Sequence, residues 1–137
     1  MKCFILLFPL LLLVSPMCLA DVEVEIEFRL HPDTGGGKTR NQGIEVDGDE
    51  AEIFLDGREE DIDRSKVDVD SLVQIIAEEV ERFELVEGVK VPPPYIEVKM
   101  EFSGEDREIE VSRRYPVGDL PSTLVLLQKH YLHEVWH

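Results

Sequence analysis

The sequence predicts an α+β fold: an antiparallel sheet of about five strands, ordered strand, hairpin, helix, hairpin, helix, with two helices packed on one face. Two patterns carry that reading. Several short runs alternate apolar and charged residues and are joined by tight turns, which is the period of half-buried strands. Two later stretches repeat apolar residues at helical spacing instead. No internal repeat competes with this order.

Val22-Glu23-Val24-Glu25-Ile26-Glu27-Phe28-Arg29-Leu30 alternates without a break, putting Val22, Val24, Ile26, Phe28 and Leu30 on the core side of a first strand. His31 to Gln42 reads as a loop, dense in Pro, Asp, Gly, Lys and Asn. Ile44 and Val46 begin a second strand, Asp47-Gly48 makes a hairpin turn, and Ala51, Ile53 and Leu55 alternate after it. Asp56-Gly57 ends that strand. Residues 57–69 then read as a flexible acidic linker, because Arg58 to Val69 offers little apolar surface to bury.

A helix follows, capped by Asp70 or Ser71, with Ser71 and Gln74 spaced as a capping box. Its apolar face is Leu72, Ile76, Val80 and Phe83, widened by Ile75, and Gly88 is its stop. Pro92-Pro93-Pro94 makes a stiff connector. Ile96, Val98, Met100 and Phe102 alternate with Glu97, Lys99 and Glu101. Ser103-Gly104-Glu105-Asp106 turns the chain, and Ile109 and Val111 return it. The last helix begins near Asp119 or Leu120 with Pro121 in its first turn, where the missing amide costs nothing. Leu120, Leu124, Leu127, Tyr131 and Val135 fall on its inner face.

Composition narrows the function classes. The chain has 137 residues with 14 Lys+Arg against 30 Asp+Glu, a formal charge of −16. Met1-Lys2, the apolar run Cys3–Val14, the Ser15-Pro16 break and the small residues Cys18 and Ala20 form the three-part pattern of a signal peptide over residues 1–20. The apolar run falls short of the ~20 residues of a membrane span. The expectation is a secreted or periplasmic protein with a single acidic domain over residues 21–137. Cutting after Ala20 leaves 117 residues at −17, without Cys3 and Cys18. That domain has no disulfide, no thiol nucleophile and no cysteine metal site. Its charge repels phosphate backbones and anionic lipid, which argues against nucleic acid and membranes as partners. More than half of the excess lies between Glu45 and Asp70, where the net charge is −9.

The sharpest motif is His133-Glu134-Val135-Trp136-His137, which matches H-E-x-x-H. On a helix that spacing holds zinc between two histidines, with the glutamate as general base. His130 adds a third imidazole on the same side. His130, His133, Glu134 and His137 are therefore the candidate metal site, and zinc the candidate cofactor. The competing reading is a solvated polar helix end, since a last turn frays; no catalytic residue is assigned. Gly35-Gly36-Gly37-Lys38-Thr39 suggests a phosphate loop, but Pro32 stands where G-x-x-x-x-G-K-[ST] needs its first glycine. As a loop it exposes a small basic patch, so Gly35, Gly36, Gly37, Lys38 and Arg40 are candidate partner contacts. Asp47-Gly48-Asp49-Glu50 resembles part of a calcium loop but lacks its third acid.

Charge patterning points to a surface rather than a catalytic centre. Glu23, Glu25 and Glu27 line one strand face, Glu97 and Glu101 a second, and Glu108 and Glu110 a third. If these strands share a sheet, its outer face is a carboxylate field, partly offset by Arg29, Lys99 and Arg107. Such a face either solubilises the sheet and blocks edge pairing or docks a basic partner.

In layout the chain from residue 21 onward resembles the emfourin-type small protease inhibitors. The similarity lies in the opening strand and Gly35-Gly36-Gly37 turn, the helix Leu72 to Phe83, and the proline link to Tyr95-Ile96-Glu97-Val98. It continues in the proline-led closing segment Asp119-Leu120-Pro121-Ser122-Thr123-Leu124 with Leu126-Leu127. The resemblance implies protease inhibition, with the loop His31–Gln42 as the segment to test. The functional expectation is thus an exported, acidic, non-catalytic binding module for a protein partner, a protease or a basic protein. The alternative is a metal-binding protein or zinc hydrolase.

Overall fold

The period-two run at the start of the domain forms β1 (Glu23–His31). In the computed structural model, which describes residues 22–33, 37–86 and 91–137, β1 is a central strand of a six-stranded sheet. The leader, Gly35, Gly36 and the Gly88 stop lie outside the described residues. The other strands are β2 (Arg40–Asp47), β3 (Glu50–Leu55), β4 (Arg58–Ile62), β5 (Tyr95–Ser103) and β6 (Glu108–Pro116). Their order is β4-β3-β2-β1-β5-β6, every pair antiparallel. The helices are α1 (Val69–Val86) and α2 (Ser122–Tyr131), with a short 3-10 turn at Arg64–Lys66. The α+β class and the one-sided helix layer are as expected.

Alternation decides which side faces the helices. Val24, Ile26 and Phe28 of β1 register with Val46, Ile44 and Gln42 of β2 and with Phe102, Met100 and Val98 of β5. All of these except the buried, polar Gln42 join Leu72 and Ile76 of α1 and Leu124 and Leu127 of α2 in one buried cluster. Fully burying a side chain of this size contributes roughly 1.5–3 kcal/mol, so the two helices and the sheet stabilise one another. Every other residue of each strand points to the opposite, uncovered face. Among the described residues no helix is long and apolar enough to cross a membrane.

Several elements differ from the sequence expectation. Arg40, Asn41 and Gln42, expected in the loop, begin β2. The stretch read as a linker holds β4, paired to β3 through a turn at Asp56 (φ 49°) and Gly57 (φ 85°), and then the 3-10 turn. Asp-Gly is the residue pair that left-handed hairpin turns favour. β4 is almost wholly exposed, so its residues show no apolar period. α1 starts earlier than Asp70, because Asp68 is its cap: the Asp68 carboxylate accepts from the Ser71 amide (3.1 Å) and hydroxyl (2.7 Å).

Candidate functional site

The uncovered face of the sheet carries the expected carboxylate field, and the register arranges it in rows. Asp61, Glu52, Glu45, Glu25, Glu101 and Glu110 lie directly opposite one another across all six strands. The next row out reads Glu50, Asp47, Glu23, Ser103, Glu108. Directly opposed Cβ atoms in a sheet are about 4.5–5.5 Å apart, so like charges there repel. Neither row contains a base. Glu23, Glu25, Glu45, Glu101, Glu108 and Glu110 line an open concavity of about 680 Å³.

Glu25 sits at the centre of the longer row. Burial, a hydrogen bond with Glu45, and repulsion from Glu45, Glu101 and Glu27 push its carboxyl up to about 7 from an ordinary 4.5. A carboxyl raised in the folded state contributes stability fully present below pH 4.5 and lost as pH rises through 7. Urea midpoints of the protein should therefore fall between pH 5 and pH 8. Glu25→Gln should flatten that fall and be the more stable form at pH 8; parallel pH profiles for the two proteins would rule the assignment out.

The other end of the face is mixed in charge. Ser112, Lys99, Glu27, Gly43, Phe54 and Glu59 make one row, and Arg114, Glu97, Arg29 and Asn41 the next. Glu27 is 7 % exposed and is satisfied by the Asn41 amide (3.0 Å) and the Arg29 guanidinium (3.2 Å). The Phe54 ring lies against Gly43, where an added Cβ would sit 2.5 Å from the ring and 2.4 Å from the Ile26 carbonyl oxygen. At the corner, His31 stacks on Tyr95 with ring centroids 4.5 Å apart, and its Nε2 lies 3.6 Å from Glu97. The Arg114 guanidinium covers Tyr95, 4.6 Å from the ring centre. The face is therefore polar along the strands, with acid at one end and balanced charge with aromatics at the other.

The C-terminal motif takes a different form from the one its spacing suggests. α2 ends at Tyr131, and Leu132 is extended (φ −101°, ψ 164°), so His133 to His137 are not helical. The H-E-x-x-H geometry is lost with the helix. His133 Nε2 lies 2.8 Å from Glu60 of β4, while Glu134 receives both terminal nitrogens of Arg40, at 2.8 and 2.7 Å. The His137 carbonyl accepts from the Gly118 amide. Among the described residues no group of three or more His, Cys, Asp or Glu side chains gathers to hold a metal ion, so His130, His133, Glu134 and His137 are not brought together.

What the tail builds is a clasp on the helix side of β2–β4. The Gln42 amide donates to the Glu134 carbonyl (2.7 Å) and to the Gln128 side-chain oxygen (3.1 Å). Gln128 in turn donates to the Trp136 carbonyl (2.8 Å) and accepts from the Trp136 amide (2.7 Å). Both glutamines are fully buried and Trp136 is 8 % exposed. Arg40 spans the clasp: besides Glu134 it donates to Asp56 (2.6 and 3.1 Å) and lies 5.3 Å from the Trp136 ring centre. Its guanidinium holds Asp56 and Glu134 below the usual carboxylate range. Of the loop residues singled out from sequence, Arg40 is thus engaged inside the domain, while Gly37 and Lys38 are exposed.

Fold and face together define an α+β protein with an open, acidic sheet. No family model matches the chain, and no curated protein or solved structure matches it either.

Proposed function

We propose that the domain is an exported, non-catalytic binding module that docks a cationic protein surface on its open sheet face. The observation that supports this reading is the row Asp61-Glu52-Glu45-Glu25-Glu101-Glu110. Solubility alone is served by scattered charge of both signs. An unbroken carboxylate row is costly to the fold, and a cationic partner relieves that cost on binding. The strands hold the carboxylates on rigid backbone, so a partner's Lys or Arg side chains meet a preorganised array. If the likeness to emfourin-type inhibitors carries over, the partner is a protease and the Lys38 loop adds a second contact beside the face.

Binding of a fluorescent peptide of alternating lysine and alanine tests the site. Glu25→Gln, Glu45→Gln and Glu101→Gln combined should weaken it about tenfold, at ~0.5 kcal/mol per lost ion pair. A control with the same charge loss on exposed helix and loop positions, Glu78→Gln, Glu81→Gln and Asp119→Asn, should weaken it far less, and added salt should abolish the difference. Equal losses in the two variants would reduce the face to a share of the net charge and overturn the reading.

A further inference from the structure

The sheet is open, so it has two edges, and they are built differently. β4 is five residues long with three consecutive carboxylates, Glu59, Glu60 and Asp61. Paired with itself in full antiparallel overlap, it would set Glu60 against Glu60 and Glu59 against Asp61. Such an edge resists pairing. It is also tied to the tail through His133 and Glu60.

β6 has nine residues, Glu108-Ile109-Glu110-Val111-Ser112-Arg113-Arg114-Tyr115-Pro116, and β5 is its one ladder partner among the described residues. Its self-pairing has a different outcome. In the antiparallel register that overlaps the whole strand, Ser112 meets the partner's Ser112 on a two-fold axis. Glu110 then faces the partner's Arg114, and the same pair recurs by symmetry. On the helix side Ile109 faces the partner's Tyr115, and Val111 faces the aliphatic stem of the partner's Arg113. No like charges oppose one another in that register. The full-length register and the charge-matched register are the same one.

The open face adds a second complementarity. The acidic row that ends at Glu110 would run on into the partner's row of Arg114, Glu97 and Arg29. Acid end meets balanced end, which is what the polarity of the face requires of a two-fold neighbour. Arg114 is exposed, and its guanidinium, over the Tyr95 ring, is in no side-chain hydrogen bond or ion pair among the described residues, so its five N–H donors can meet a carboxylate.

We infer that β6 is a homodimer edge, on which a second copy of this chain adds its own β6 to make a continuous twelve-stranded sheet. This pairing is independent of what docks on the open face. Sedimentation equilibrium of the purified protein should show a monomer–dimer equilibrium in the micromolar range. Glu110→Arg puts arginine opposite the partner's Arg114, and Arg114→Glu puts glutamate opposite the partner's Glu110. Each alone should raise the dimer Kd at least about tenfold, and the two together should restore it to within about threefold of wild type. Ser112→Cys should give an oxidised covalent dimer absent from the wild type, since directly opposed strand residues meet disulfide distances; this arm stands even if a charge reversal disturbs the fold. A wild-type monomer at about 200 μM overturns the inference. So does a dimer whose Kd ignores the charge reversals, or a double reversal that fails to recover while both proteins remain folded.

Discussion

Trp136→Ala should be among the most damaging single substitutions in the domain, costing about 3–5 kcal/mol, the range for removing a buried aromatic. For a domain near 100 residues this corresponds to a fall of about 15 °C or more in Tm. The reason is more than lost ring burial. Trp136 is the only tryptophan, and its ring packs under Arg40 while its amide and carbonyl are both bonded to the buried Gln128 side chain. When the ring leaves, the tail has little apolar surface to hold it, and Gln42 and Gln128 lose partners they cannot replace in a dry site. Trp136→Phe keeps most of the burial and loses one long bond from the indole to Glu134 (3.3 Å), so it should cost about 1 kcal/mol. Urea unfolding followed by far-UV circular dichroism measures both. If Trp136→Ala unfolds within about 1 kcal/mol of wild type, the tail is an appendage and the clasp is not part of the core.

This clasp also shows why residues 133–137 do not continue the helix that their spacing predicts. By spacing, Leu120, Leu124, Leu127 and Tyr131 continue naturally to Val135, and neither glycine nor proline interrupts them. The helix nevertheless ends at Tyr131, leaving Val135 at the surface and burying Trp136 instead. What stops it is tertiary: the main-chain groups of the tail bond to Gln42 and Gln128, side chains 86 residues apart in sequence. Local periodicity carries no trace of such a competition.

The legible parts were those where one face is apolar and the other charged. β1, β2–β3 and β5–β6 followed from alternation, and the same alternation placed Glu23, Glu25, Glu101 and Glu110 on one face. The rows themselves needed the register, which two residues of slip in any hairpin would have rearranged. β4 was hidden because an edge strand exposed on both faces has no apolar period to read. Its signal was the Asp56-Gly57 pair, which closes a hairpin here rather than ending a strand.

The second large effect concerns a buried carboxylate on the core side of α1, which the apolar pattern of the sequence does not reveal. Glu79 lies three residues after Ile76 and seven after Leu72 on α1, and it is 1 % exposed. Its carboxylate is held by the Arg82 guanidinium (2.9 Å) and by the Tyr115 hydroxyl through a short hydrogen bond. Removing a partner from a buried carboxylate costs more than removing the whole group, because the stranded charge keeps its desolvation penalty. Tyr115→Phe should therefore destabilise by about 1.5–3 kcal/mol, the range for a hydrogen bond to a charged group. Glu79→Leu combined with Tyr115→Phe replaces the network with apolar contacts of similar volume and should recover most of that loss. The pH dependence supplies an independent readout. Burial first, and then the bond to Glu79, pushes the Tyr115 phenol above its ordinary 10.0. A raised phenol contributes stability fully present below pH 10 and lost as pH rises toward its folded value, so wild type should lose stability above pH 10 more steeply than Tyr115→Phe. Unfolding free energies at pH 8 and pH 11 decide the matter. A double variant no more stable than Tyr115→Phe, with unchanged alkaline slopes, would show that Glu79 is stabilised by something other than this pair.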